Sequence, residues 1–197
     1  MQAITSSNKN FSGRPASFLW SALACLLIAL ALIHPSSGQQ RPAYAEDQLK
    51  AAYIFNFVKF ASWPESNFAT PESPVVIGIL GQDRFGPLID ELVKGELIKG
   101  HPIRIERFET PQDVKPCHVL YVDRSLDDDL DELFVALRGK DVLTISDIND
   151  FTAEGGMIKL FLDDSKMKFQ VNANAVKATK IVLSSRLLRL ADVCCED

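Results

Sequence analysis

The sequence lacks the short motifs that mark most enzyme and metal sites. Its 197 residues contain no CxxC pair, no phosphate-binding GxxxxGK[S/T] loop, no GxGxxG fingerprint and no GxSxG nucleophile elbow. Histidine is scarce, and beyond residue 45 only His101 and His118 remain. Catalytic triads and zinc sites depend on histidine or cysteine, so neither is favoured. We therefore predict a protein that is not an enzyme, with no catalytic residue, no metal ligand and no cofactor.

A basic excess is also lacking. The chain carries 21 Lys and Arg residues against 26 Asp and Glu residues, which gives a net charge of −5. Three of the basic residues and none of the acidic ones lie in the first 45 residues, so the remainder has 18 basic and 26 acidic side chains. Because nucleic-acid binding requires a basic face that neutralises phosphates, this class of function is disfavoured.

The first 45 residues have the pattern of an export signal. Lys9 and Arg14 supply positive charge, an apolar run covers Phe18–Ile33, and Ala43-Tyr44-Ala45 fits the small-x-small cleavage rule. We predict a cleaved signal peptide over residues 1–45 and a single domain over residues 46–197. The alternative is an uncleaved membrane anchor, which is disfavoured because the apolar run is 16 residues long and a spanning helix needs about 20.

Three cysteines remain after the predicted cleavage: Cys117, Cys194 and Cys195. In an oxidising compartment an odd number of cysteines leaves at least one thiol unpaired within the chain. Two interpretations stay open. Either Cys117 is buried and the terminal pair is free, or Cys117 forms a disulfide with the C-terminus.

Strand and helix patterns alternate along the predicted domain. The aromatic segment that begins at Lys50 predicts a first helix that ends at Trp63-Pro64, because the residue before a proline is pushed out of the helical region. Continuous apolar runs at Val75–Leu80 and Cys117–Val122 are typical of strands buried on both faces. Asp163-Asp164-Ser165 predicts a hairpin turn.

These patterns together predict the fold class. Further strands are predicted at Ile103–Phe108, Asp141–Ile145, Met157–Leu162 and Lys166–Val171, and further helices at Phe85–Lys94, after a Ser125 cap, and at Ala173–Leu190. We expect an α/β fold: one three-layer domain with a mixed, partly parallel sheet, a C-terminal β-hairpin and a long C-terminal helix.

Three basic side chains interrupt apolar helices of the predicted domain: Lys59, Arg186 and Arg189. The simpler interpretation is that they meet carboxylates or cap carbonyls. The alternative is a clamp for an anionic small ligand, since guanidinium groups bind carboxylate and phosphate. Trp63 could stack on a ring of that ligand, although a tryptophan at such a position is more often core.

Several segments together resemble the YfiR family of periplasmic proteins. They are the aromatic first helix with Trp63-Pro64, GILGQDRFG at 78–86, CHVL at 117–120, LTISD at 143–147, GGMI at 155–158 and LSSRLLRLA at 183–191. The resemblance covers essentially the whole chain after the leader. It implies localisation in the periplasm and a negative regulator that binds the periplasmic domain of an inner-membrane diguanylate cyclase, or another sensor protein. Such a regulator lowers cyclic-di-GMP and restrains biofilm formation.

The resemblance also implies a homodimer, redox sensitivity through disulfides, and a small-ligand pocket near Lys59 and Arg186. This chain departs from the family's two-disulfide pattern, because Cys117 has no second cysteine in the middle of the domain. For the partner interface we expect Phe57, Phe60 and Leu187 of the first and last helices. The competing hypothesis is a periplasmic component that binds an anionic or aromatic small molecule and serves a sensor kinase or transporter.

Overall fold

The computed structural model describes residues 41–195. Most of the predicted signal peptide, residues 1–40, lies outside this range. The last residues of that segment open the first helix, so the helix extends back through the predicted cleavage site. Within residues 41–195 no helix is long and apolar enough to cross a membrane.

Short helices and strands alternate from Arg41 to Cys194. The α-helices are α1 Arg41–Phe60, α2 Pro87–Val93, α3 Leu130–Leu137, α4 Ala173–Lys177 and α5 Ser185–Leu188. Three 3-10 helices cover Glu65–Asn67, Pro111–Asp113 and Arg124–Asp129. The strands are β1 Ala61–Ser62, β2 Val75–Leu80, β3 Leu97–Ile98, β4 His101–Phe108, β5 Val119–Val122, β6 Leu143–Ser146, β7 Ile158–Asp163, β8 Lys166–Asn172, β9 Val182–Leu183 and β10 Asp192–Cys194.

Eight strands form one mixed sheet in the order β10-β8-β7-β6-β5-β2-β4-β3. The middle five, from β7 to β4, are parallel, whereas β8 is antiparallel to β7 and β3 is antiparallel to β4. The chain passes from β2 outwards to β4 and then returns to β5 on the other side of β2. This order is one of the two common doubly wound arrangements, and its topological switch point lies between β2 and β5.

Helices cover both faces of the sheet, so the predicted three-layer α/β fold is confirmed. On one face α1 and α2 pack on Val75, Ile77 and Ile79 of β2. On the other face α3 packs on the alternate residues Val76 and Leu80. In α1 the buried positions recur at helical spacing, including Ala51, Ile54, Phe57 and Val58. The aromatic segment therefore buries one stripe, while Asn56 and Lys59 stay exposed.

The predicted long helix over Ala173–Leu190 is wrong. Over these residues the chain instead forms α4, β9 and α5, because side-chain hydroxyls compete for the backbone bonds of a helix. The Thr179 hydroxyl donates to the Val176 carbonyl and also accepts from the Ile181 N–H. Ser184 then caps α5 by accepting from the Leu187 N–H. Between Thr179 and Ser184, strand β9 pairs antiparallel with β1, with Leu183 opposite Ala61.

The other predicted boundaries differ less from those in the structure. The hairpin between β7 and β8 is confirmed, with a two-residue turn in which Asp164 and Ser165 have φ of 46° and 61°; positive φ at both positions is typical of a type I′ turn. The cap expected from Ser125 comes from Asp123, whose side chain accepts from the Ser125 N–H. The predicted strand at Cys117 begins two residues later, at Val119.

Candidate functional site

Two of the three basic residues expected to clamp a ligand lie against phenylalanine rings of α1. The Lys59 Nζ is 3.9 Å from the centroid of the Phe55 ring, and it lies 3.7 Å from the Glu96 carboxylate. The Arg186 guanidinium carbon is 5.7 Å from the centroid of the Phe60 ring. Cation–π contact and an exposed ion pair therefore account for these side chains without a ligand. Arg189 is exposed and directly follows α5.

Trp63 lies in a separate pocket of about 330 Å³. Phe68, Lys99 and His101 share its lining, whereas Lys59, Arg186 and Arg189 do not contribute to it. The indole Nε1 is buried and has no hydrogen-bond partner within the part of the chain that the structure describes. The structure therefore brings Trp63 together with Lys99 and His101, not with the cations predicted from the sequence.

Two of the three residues predicted for a partner interface are core residues in this structure. Phe57 is 1% exposed and Leu187 is 4% exposed. The Phe57 ring packs edge-to-face on Phe169 with a centroid distance of 5.0 Å. Phe60 is half-buried beneath Arg186. Phe57 and Leu187 therefore have almost no surface to offer a partner, because their apolar groups already pack within the domain.

Exposed apolar side chains are instead concentrated near the C-terminus. We call this set the C-terminal apolar surface, and its members with their exposed fractions are Val182 (64%), Leu188 (37%), Leu190 (72%) and Val193 (39%). They come from β9, α5, β10 and the residues between these elements. The sheet order ends at β10, so the outer edge of that strand has no neighbour among the described strands.

A buried ionic network at the carboxyl ends of the parallel strands was not predicted from the sequence. The Asp147 carboxylate, which follows β6, accepts from the Lys50 Nζ of α1 at 2.6 Å and from the Tyr121 hydroxyl of β5 at 3.1 Å. Lys50 also pairs with Glu46 at 2.6 Å, and Arg124 reaches Asp147 at 2.8 Å. The network ties α1 to two neighbouring strands of the sheet.

The charges of this network determine how Asp147 titrates. Burial by itself raises the pKa of this carboxyl, but the hydrogen bond and charge of Lys50, followed by Arg124 and the Tyr121 hydroxyl, outweigh burial and hold its pKa below the ordinary value. Burial and the negative charge of Asp147 raise the pKa of Tyr121, which therefore stays protonated as a donor. The side chains of Lys50 and Asp147 are only 5% and 4% exposed.

A second ion pair lies at the carboxyl ends of β2 and β5. Asp123, the residue after β5, is buried and accepts from the Arg84 Nε at 2.9 Å. Arg84 belongs to the loop that follows β2. In doubly wound sheets ligands usually bind outside the carboxyl ends of the strands at the switch point. Here the Arg84–Asp123 pair occupies part of that position, and a pocket of about 470 Å³ lined by Gly81, Gln82 and Ser125 lies at the same ends of the strands.

The cysteines do not form a bridge from Cys117 to the C-terminus in this structure. Cys117, Cys194 and Cys195 are all free thiols. Cys117 precedes β5, and β10 lies four strands away in the sheet, which corresponds to about 19 Å at ordinary strand spacing. A disulfide needs Cα atoms within about 7 Å of each other. The interpretation with a buried Cys117 and a free terminal pair describes this structure.

Comparison with known proteins identifies the family. A family model described as YfiR/HmsC-like matches residues 47–192. The chain belongs to the YfiR/HmsC-like family. This is a family of periplasmic regulatory proteins, so the resemblance drawn from the sequence segments is confirmed. No curated protein matches the sequence. Across residues 41–195 the structure contains no group of three or more His, Cys, Asp or Glu side chains arranged to hold a metal ion.

Proposed function

We propose that this protein is a non-enzymatic periplasmic regulator of a YfiR/HmsC-like type. It binds the extracytoplasmic domain of an inner-membrane diguanylate cyclase, represses that enzyme, and so lowers cyclic-di-GMP and biofilm formation. The observation that carries the proposal is the family match over residues 47–192. Export by cleavage of residues 1–45 is part of the same proposal, and the match begins just after that segment.

The partner contact is assigned to the C-terminal apolar surface. Leu190 and Val182 are the two most exposed large apolar side chains of this surface, at 72% and 64%. Complete burial of a Val or Leu side chain contributes roughly 1.5 to 3 kcal/mol. Two or three such side chains at the centre of an interface are enough to act as binding hot spots. Phe60 remains a candidate contact residue because it is only half-buried.

The experiment is a deletion of the gene in its host, followed by complementation. We expect deletion to raise cyclic-di-GMP and surface attachment, and the wild-type gene to restore both. The double variant Val182→Asp/Leu190→Asp should fold and be exported normally but should fail to restore repression. The matched control is Leu97→Asp/Val135→Asp, which changes two side chains of 61% and 64% exposure outside the C-terminal apolar surface.

The outcomes test the regulator function and the assigned C-terminal apolar surface separately. Unchanged cyclic-di-GMP after deletion would refute repression of a cyclase. A change on deletion, with both double variants restoring repression equally, would refute the assigned surface and leave the regulator function standing.

A small-molecule binding component is the second candidate, and the Trp63 pocket supports it. Trp63 is the only tryptophan beyond residue 45, so intrinsic fluorescence of the mature protein reports on this pocket. Titration with anionic and aromatic metabolites should quench or shift this emission if a ligand contacts Trp63. Lys59→Met and Arg186→Met would then weaken binding if the clamp predicted from the sequence is correct. Constant emission across the panel would contradict this candidate.

A further inference from the structure

The two cysteines at the end of the described chain lie in contact with each other. Cys194 is the last residue of β10, and Cys195 follows it directly. Their Sγ atoms are 2.9 Å apart. Side chains of successive residues in a strand point to opposite faces of the sheet, so adjacent cysteines of a regular strand do not meet. The contact between these two thiols therefore requires a local departure from strand geometry.

The backbone of Cys195 supplies this departure. Its φ is 60°, in the left-handed region that residues other than glycine seldom adopt. The change of backbone direction ends β10 and turns the side chain of Cys195 back toward that of Cys194. Both thiols consequently lie on the same side of the chain.

No other thiol of the described chain can reach this pair. Cys117 is buried just before β5, and β5 lies four strands from β10, which corresponds to about 19 Å at ordinary strand spacing. In the described sheet β10 pairs with β8 alone, so its outer edge is open. Cys195 is exposed there and Cys194 is half-buried. Within residues 41–195 each of these two cysteines therefore has the other as its one possible disulfide partner.

The two thiols differ in how easily they react. Burial raises the pKa of Cys194 to about 11, and the hydrogen bond and charge of Cys195 add to this effect. Cys194 is therefore protonated at neutral pH, whereas thiol–disulfide exchange requires a thiolate. Cys195 is exposed at the open edge, so an oxidant reaches it first. Once Cys195 carries another group, its hydrogen bond and charge are lost, which lowers the pKa of Cys194 and favours its attack in the second step.

We propose that Cys194 and Cys195 form a redox site that closes into a reversible disulfide between adjacent residues. The oxidant is a disulfide, R–S–S–R. The Cys195 thiolate attacks one of its sulfurs, which breaks the bond between the two sulfurs and releases one thiol, RSH. After losing its proton, the Cys194 sulfur attacks the Cys195 sulfur of the mixed disulfide, and the second RSH leaves. Two protein thiols thus lose two electrons and two protons, and one disulfide is reduced to two thiols.

A disulfide at this position should be easy to reduce. The Cα atoms of adjacent residues are about 3.8 Å apart across a trans peptide, whereas disulfides usually join Cα atoms about 4.4–6.8 Å apart. A bond between neighbouring residues is therefore strained, and strained or exposed disulfides are the labile ones. The site is suited to reversible oxidation and not to structural cross-linking, and it does not depend on the identity of the membrane partner.

Mass spectrometry of the C-terminal peptide tests this proposal in the exported protein. Trypsin cleaves after Arg189, so residues 190–197 form one peptide that contains Cys194 and Cys195 but not Cys117. The reduced protein is equilibrated with mixtures of reduced and oxidised glutathione and then alkylated with N-ethylmaleimide in denaturant. As the oxidised fraction rises, the peptide should change from a doubly alkylated form to an unalkylated form that lacks the two thiol hydrogens. Dithiothreitol should reverse the change.

Single variants assign the role of each thiol. In Cys194→Ser the exposed Cys195 should retain glutathione as a mixed disulfide, because no resolving thiol remains. Cys195→Ser leaves only the half-buried Cys194 in this peptide, which should react with oxidised glutathione about tenfold more slowly than Cys195 does in Cys194→Ser. Cys117→Ala is the matched control, and its C-terminal peptide should oxidise as in the wild type. The proposal is overturned if the wild-type peptide remains a dithiol at every glutathione ratio, or if it retains glutathione or links two chains without closing on itself.

Discussion

Replacement of Lys50 by Met tests whether the buried ionic network holds α1 on the sheet. Lysine and methionine have similar helix propensities and unbranched side chains, so the change removes the charge with little effect on helix formation. Lys50 is 4% exposed, and its Nζ lies 2.6 Å from both Asp147 and Glu46. The substitution therefore leaves Asp147 as a buried carboxylate without its nearest cation.

The expected loss follows from the partners that remain. Removal of one member of a buried ion pair costs about 3–5 kcal/mol. Asp147 keeps the Tyr121 hydroxyl at 3.1 Å and Arg124 at 2.8 Å, but the Arg124 side chain is 55% exposed and its charge is screened by water. We therefore expect the free energy of unfolding to fall by about 3 kcal/mol, the lower end of that range.

Equilibrium unfolding in urea at pH 7, monitored by Trp63 fluorescence, measures the effect. With a denaturant dependence of about 2 kcal/mol per molar for a domain of this size, a loss of 3 kcal/mol shifts the midpoint by roughly 1.5 M. The control is Lys59→Met on the same helix, where the side chain is 40% exposed and its ion pair with Glu96 spans 3.7 Å. Its cost should be at most about 1 kcal/mol.

A double-mutant cycle measures the interaction free energy between Lys50 and Asp147. Lys50→Met combined with Asp147→Asn should cost less than the sum of the single changes, with a coupling free energy of about 2 kcal/mol between the two sites. A coupling below about 0.5 kcal/mol, or equal effects of Lys50→Met and Lys59→Met, would refute the view that this pair anchors α1.

Three further predictions concern acid stability, thiol reactivity and packing. Because the pKa of Asp147 in the folded protein lies below its ordinary value of 3.8, its contribution is present above that value and disappears as the pH falls through the folded pKa; the difference in unfolding free energy between wild type and Asp147→Asn should shrink from pH 6 to pH 3. Cys117 should resist alkylation at pH 8, since burial raises its pKa to about 12, whereas the exposed Cys195 should react quickly; rapid labelling of Cys117 in the native protein would contradict the structure. Gly156→Ala should lower the unfolding free energy by about 1–3 kcal/mol, because a Cβ there would lie 2.3 Å from the Phe151 ring; a neutral effect in the same urea assay would contradict this packing.

The strands and the first helix could be predicted because their patterns are local. Val75–Leu80 was predicted with its observed bounds, since a continuous apolar run has only one stable place in this fold, between two helical layers. The prediction of a long C-terminal helix was wrong for a different reason. The segment around Thr179 and Ser184 is rich in apolar residues at helical spacing. However, the hydroxyls of Thr179 and Ser184 and the pairing of β9 with β1 stabilise another conformation. Pairing with a strand more than a hundred residues away has no local signal.

The residues of the ionic network were harder to predict because they depend on what the topology brings together. Asp123 and Asp147 each directly follow a buried strand, and this was the available signal for a polar cluster at the carboxyl ends of a parallel sheet. Lys50 gave no such signal, because its partner is 97 residues away. The sequence analysis assigned Phe57 to a partner interface. In the structure its ring is buried against Phe169, where it stabilises the domain.

The ion pairs at the carboxyl ends of the parallel strands limit where a ligand could bind. At these ends, where doubly wound proteins usually bind ligands, Lys50 and Arg84 are each paired with a buried carboxylate, Asp147 and Asp123 respectively. A ligand that displaced the buried Lys50–Asp147 pair would lose several kcal/mol of binding free energy. The Lys50–Asp147 pair therefore serves to hold α1 on the sheet.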